Sequence, residues 1–166
     1  MGLLWHPGMG SLLQTQSREV GPLGTASDGA DVYEAEVFEP DMRMNGDVFL
    51  PVSGRQDLGE GELTFVYHLG EHGQKVVRFA EDYIEVTVDH AGAFVEHLPL
   101  LVRTSDELTV QDHQICLIRS GQKMVISCYS EIDIEMSASD ISHGPFTLNR
   151  VLINTWDRLQ YKIGWE

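Results

Sequence analysis

Apolar and polar residues alternate along most of this chain, and no segment keeps a helical period. In Glu62 to Leu69, the side chains of Leu63, Phe65, Tyr67 and Leu69 share one face. Ile84, Val86 and Val88 point one way in the next run, and Glu85, Thr87 and Asp89 the other. Glu131 to Met136 alternates throughout; Phe146, Leu148 and Leu152 alternate with Thr147 and Asn149, and Leu159, Tyr161 and Ile163 close the chain. Strands with one apolar and one polar face belong to antiparallel sheets with a solvated side. Turn residues fall between the runs: Asn45-Gly46-Asp47, Gly70 to Gly73, His90-Ala91-Gly92 and Ser120-Gly121. The pattern predicts an all-β fold, an antiparallel two-sheet β-sandwich of roughly ten to twelve strands.

Length supports one domain spanning residues 1–166, and 42% hydrophobic residues suit a packed core. The first sixty residues hold three basic and ten acidic side chains among dense Gly and Pro, and part of them is expected to wrap the sandwich. Eleven bases against 26 acids leave a net charge of −15, which repels phosphate backbones and anionic lipid, so neither nucleic acid nor a membrane surface is an expected partner. The densest apolar run, Leu98 to Val102, is far too short for a spanning helix, and Met1 to Trp5 lacks the pattern of a signal peptide. The abrupt apolar start suggests a piece of a longer chain.

Cys116 and Cys128 flank the Ser120-Gly121 turn. A two-residue turn there pairs position 116 with 125 and sends Cys128 to the opposite face, so two separate thiols are expected rather than a disulfide.

Candidate chemistry is sparse. Asp28 to Asp47 carries seven acids, with Asp28-Gly29-Ala30-Asp31 and Asp41 to Asp47 as the calcium-like patterns, but neither matches an EF-hand loop, and a solvated acidic strand is the simpler reading. No metal is required by the sequence. If a structural zinc is bound, the candidate ligands are His90, His97 and His113, which follow Asp89, Glu96 and Asp112. No serine-nucleophile elbow, phosphate loop or Cys-x-x-Cys occurs. Trp165, beside the C-terminus, is the candidate for stacking on a sugar ring.

Two segments carry a resemblance. Leu3-Leu4-Trp5-His6-Pro7-Gly8-Met9-Gly10-Ser11-Leu12-Leu13 resembles the first strand of the C-terminal β-sandwich in heparinase II/III-like polysaccharide lyases. Phe94 to Val102 resembles a middle hairpin of such domains. The resemblance implies an accessory, non-catalytic domain that packs against a missing helical toroid of the same parent chain and helps to wall its sugar cleft. In that family the toroid supplies most of the catalytic groups, and the sandwich of some members lends a histidine to the cleft or holds a zinc. His6, in its His-Pro turn, is the residue here that matches the lent histidine; no zinc set matches residue by residue. β-Elimination at a uronate needs its carboxylate neutralised, a base for the C5 proton and an acid for the leaving oxygen. Such a parent would act on an acidic polysaccharide, in the periplasm or outside the cell, while the isolated chain would be inactive and could pair with a second copy through its uncovered face. The rival expectations are a free-standing carbohydrate-binding or adhesion module and a small cupin-like metal enzyme.

Overall fold

The computed structural model describes the backbone except at residues 1–2, 15, 26–30, 39–41, 45–46, 50, 60, 70–72 and 130–131, and side chains outside 1–3, 14–52, 60, 70–72, 130–131 and 137–143. Among the described residues there are fifteen strands and no helix: Leu3–His6 (β1), Gly10–Gln14 (β2), Gln16–Thr25 (β3), Asp31–Phe38 (β4), Met42–Met44 (β5), Asp47–Phe49 (β6), Pro51–Leu58 (β7), Leu63–Leu69 (β8), Gly73–Phe79 (β9), Tyr83–Arg103 (β10), Glu107–Gln111 (β11), Gln114–Arg119 (β12), Gln122–Cys128 (β13), Asp133–His143 (β14) and Phe146–Trp165 (β15). The fold is all-β. β3 and β4 pair only with each other; the remaining thirteen strands form one antiparallel sheet.

That sheet is folded over by two long strands, β10 and β15, which pair along nearly their whole length. Their outer halves, Tyr83 to Asp89 and Arg158 to Gly164, join β9 and β13, and the order β11-β12-β13-β15-β10-β9-β8-β7 makes the first layer. The other halves of β10 and β15 pair with β2, β5 and β14 to make the second layer. A sheet that turns such a corner through strands shared by both layers is an established route to a sandwich. One hydrophobic cluster joins Leu12, Leu98 and Val151 of the second layer to Leu117, Ile126 and Leu159 of the first, so the layers pack face to face. Fully burying each such side chain contributes about 1.5–3 kcal/mol.

The corner corrects one expectation. His90-Ala91-Gly92 does not end a strand; it is a bulge inside β10. Three β10 residues there oppose one residue, Asp157, because Asp89 pairs with Arg158 and Ala93 with Trp156. The surplus is two residues, an even number, so the facing of the strand is preserved across the bend. Phe94, Glu96, Leu98 and Leu100 therefore continue the inward face begun by Ile84, Val86 and Val88, and all seven are buried. Gly92 has φ of 90° and Asp157 φ of 58°, and the Gly92 N–H donates to Asp157 Oδ1 at 2.7 Å, which pins the bend. The segment Phe94 to Val102 is thus the second half of a 21-residue strand rather than a hairpin.

Elsewhere the expected parities hold in most places. Ser120 and Gly121 have φ of 54° and 78°, the two-residue turn with both positions left-handed, and Cys116 pairs with Val125. Cys128 is buried, Cys116 is half-buried, and both thiols are free. In β15 the core-facing residues of the first half are Val151 and Ile153, whereas Leu148 points to a small second cluster with Leu101 and Phe146. The chain's beginning is less peripheral than its composition suggests, since Leu4, Met9, Leu12 and Leu13 are core residues. The calcium-like patterns between Asp28 and Asp47 lie outside the described side chains.

Candidate functional site

Two lysine-bearing sites, a buried arginine network and one histidine contact stand out in the polar chemistry of the described residues. The first is internal. β9 places Gly73, Lys75 and Val77 on its buried parity, so a lysine faces the core. The inward run of β10 places Glu96 opposite it, and β15 adds Tyr161. The Lys75 ammonium pairs with Glu96 Oε1, and the Tyr161 hydroxyl donates to the same oxygen at 2.9 Å. Glu96 is 0% exposed and Lys75 4%, and Glu96 Oε2 has no hydrogen-bond partner among the described residues. Burial, and then the Glu96 charge, push the Tyr161 hydroxyl well above its ordinary value. The same causes push the Cys128 thiol up to about 12, so it stays protonated and unreactive at neutral pH. This cluster ties the first layer to the second and is closed to a polymer arriving from outside.

At one end of the sandwich, Arg119 of β12 reaches across the core. Its guanidinium donates to Asp106 Oδ2, to the carbonyls of Met9 and Ser11, and to that of Leu101, all within 2.6–2.8 Å. This fastens the turn carrying His6 to the first layer. His6 Nδ1 accepts from the Gly8 N–H at 3.2 Å, so the neutral ring carries its proton on Nε2. The imidazole lies flat on Trp165, with ring centroids 5.4 Å apart and planes at 14°.

The second lysine-bearing site is on the solvent face of the first layer. Asp82, Gln114, Lys123, Val125, Ser127, Lys162, Gly164, Trp165 and Glu166 line a cavity of about 300 Å³. Gln114 donates to Ser127 Oγ at 3.2 Å, and Lys123 to Glu166 Oε2 at 2.5 Å. The hydrogen bond to Glu166 raises Lys123 above the ordinary lysine value. The Lys162 ammonium sits 3.8 Å above the Tyr83 ring, a cation–π contact.

The structure brings together two of the residues singled out in the sequence, His6 and Trp165, and they stack on each other. Trp165 is half-buried against the core rather than projecting alone at the terminus. The candidate zinc ligands do not come together. His90 is buried in the bulge, 3.0 Å from the Ala91 carbonyl through Nδ1; His97 is buried farther along β10; His113 is exposed at the β11–β12 turn. Among the described residues no three His, Cys, Asp or Glu side chains are grouped as a metal would need, so no chemistry is assigned to zinc here. Lys75, Glu96, Arg119 and Lys162 were missed by sequence reasoning. The available signal is parity: Lys75, Glu96 and Arg119 are charges on the core-facing, largely apolar faces of their strands.

No family model matches the sequence, and no curated protein does. Solved structures match the fold. The heparan sulfate lyase HepC from Pedobacter heparinus superposes with a TM-score of 0.58 and 11% identity, over 77% of this chain and 24% of that one. The fold is one found within heparinase III chains. The heparinase III BT4657 gene product, with methylated lysines, gives a TM-score of 0.57 and 12% identity, over 77% of this chain and 23% of its own. The chain thus spans about a quarter of the length of these two lyases. A third structure, HI1317, gives a TM-score of 0.52 and 7% identity, over 73% of this chain and 66% of that chain.

Proposed function

We propose that this chain is the accessory, non-catalytic β-sandwich of a heparinase-like polysaccharide lyase, packed against a helical toroid of the same parent chain and walling part of its sugar cleft. The observation that carries this reading is the match of 77% of the chain to about a quarter of a heparan sulfate lyase. The internal arrangement agrees with it. The polar cluster around Glu96 is sealed from solvent, its charges turned on each other rather than toward a cleft. Trp5, Met136 and Trp156 are 58%, 42% and 67% exposed on the second layer and at its corner, where a toroid or a second copy of the chain would cover them. His6 is the group that would reach the cleft from the sandwich side.

An antibody raised against the chain tests the reading on the native polypeptide. The expected band lies at about three times 18.6 kDa, since 77% of this chain matches 24% of the lyase, and the precipitate cleaves an acidic polysaccharide to unsaturated products. A native polypeptide of 18.6 kDa with no lyase activity would overturn it. That outcome would favour a free-standing carbohydrate-binding or adhesion module; HI1317, matched over 66% of its chain, shows only that the fold can make up most of a chain.

A further inference from the structure

We propose that the cavity on the solvent face of the first layer is an anchoring site for an acidic saccharide, with Lys162 taking the uronate or sulfate group. The ligand class rests on the lyase reading; the site itself rests on geometry. At about 300 Å³ the cavity is at the small end of the range of ligand sites, the size for a single sugar unit rather than a chain. Gly164 lines it beside Val125, and a Cβ added there meets nothing within 4 Å, so the space above this backbone is open.

The two lysines at the cavity are not equivalent. Lys123 already holds Glu166. Lys162 has no carboxylate partner among the described residues and rests on Tyr83, whose hydroxyl in turn accepts from Arg78 at 2.8 Å. The aromatic ring holds the ammonium in place without neutralising it, and Asp82, which shares the cavity, forms no ion pair with it, so the charge of Lys162 is left for an incoming anion. Gln114 and Ser127, hydrogen-bonded to each other, present an amide and a hydroxyl to the sugar hydroxyls. Tyr129, 61% exposed, follows Ser127 by two residues just past the end of β13, its N–H donating to the Gln160 carbonyl at 2.9 Å. That spacing, about 7 Å along a strand, offers an aromatic surface to the neighbouring sugar. In a chain of net charge −15, a polyanion is held by such local cations rather than by the overall field.

Titration calorimetry of the purified chain with a heparan sulfate tetrasaccharide tests the site. Binding is expected to weaken at least tenfold in Lys162→Gln, several-fold in Tyr129→Ala, and to be largely retained in Lys162→Arg, with circular dichroism unchanged in all three. Absence of binding by the wild-type chain, or equal binding by Lys162→Gln and wild type, would overturn the proposal. Such a failure leaves the size and activity of the native polypeptide, and so the lyase reading, untouched. Conversely, a native 18.6 kDa polypeptide that binds through Lys162 would keep this site and discard the lyase reading.

Discussion

Arg119 and Lys75 are both cations taken out of water, one at the end of the sandwich and one at its centre, and they are satisfied differently. Arg119, 1% exposed, places its fork on Asp106 and on three backbone carbonyls. Its planar array of donors suits several acceptors at fixed angles. Lys75, 4% exposed, meets a single acceptor, one oxygen of Glu96; in both sites the carboxylate's other oxygen, Asp106 Oδ1 and Glu96 Oε2, has no hydrogen-bond partner among the described residues, so the sites differ in the number of acceptors the cation holds. The first arrangement binds chain segments to one another; the second balances a charge. A buried pair of the second kind stabilises little against an apolar replacement, while loss of one member leaves an uncompensated charge.

Removing Arg119 is expected to have the largest effect. Arg119→Ala exposes the need of Asp106 and of the Met9, Ser11 and Leu101 carbonyls at once, and urea denaturation should show a loss of about 3–5 kcal/mol. The double variant Arg119→Met/Asp106→Leu should recover little of this, because three carbonyls remain unsatisfied. Lys75→Met alone is expected to cost about 3 kcal/mol by stranding Glu96. Here the double variant Lys75→Met/Glu96→Leu should regain most of the loss. Equal recovery in both double variants would erase the distinction between the two sites.

These charges were partly visible beforehand. Lys75, Glu96 and Arg119 interrupt apolar faces whose alternation reads correctly from the sequence. What alternation cannot give is the partner: Arg119 lies 110 residues from Met9 along the chain, and Glu96 lies 65 from Tyr161. The corner was hidden for another reason. Gly92 is the usual residue of a turn, and the same left-handed backbone serves a bulge inside a continuous strand, so local chemistry does not separate the two. His6 and Trp165 each stand out in the sequence, but their contact depends on the chain closing from its first strand to its last.

The central site also carries a pH signature. Tyr161 and Cys128 are held neutral in the folded chain, while in the unfolded chain they ionise near the ordinary values of 10.0 and 9.0. Above pH 9 the unfolded state therefore binds fewer protons than the folded state, and stability falls as pH rises, by up to about 1.4 kcal/mol per pH unit for each group. Tyr161→Phe is expected to cost about 1–2 kcal/mol at neutral pH through the lost bond to Glu96, and to remove the part of the alkaline loss that begins near pH 10. Denaturation midpoints of wild type and variant, followed from pH 7 to about pH 11, should converge. A constant separation would place the titrating group elsewhere. The smallest effect is expected at the surface: Glu166→Gln breaks the exposed pair with Lys123 and should leave the midpoint unchanged.

The proposed accessory role requires that this folded-over sheet turn over no polysaccharide by itself. Incubating the purified chain with heparan sulfate and following unsaturated uronate in the ultraviolet tests this directly. No product above the enzyme-free control is expected, even after prolonged incubation. Steady formation of unsaturated product by the isolated chain, abolished by His6→Ala, would contradict the account.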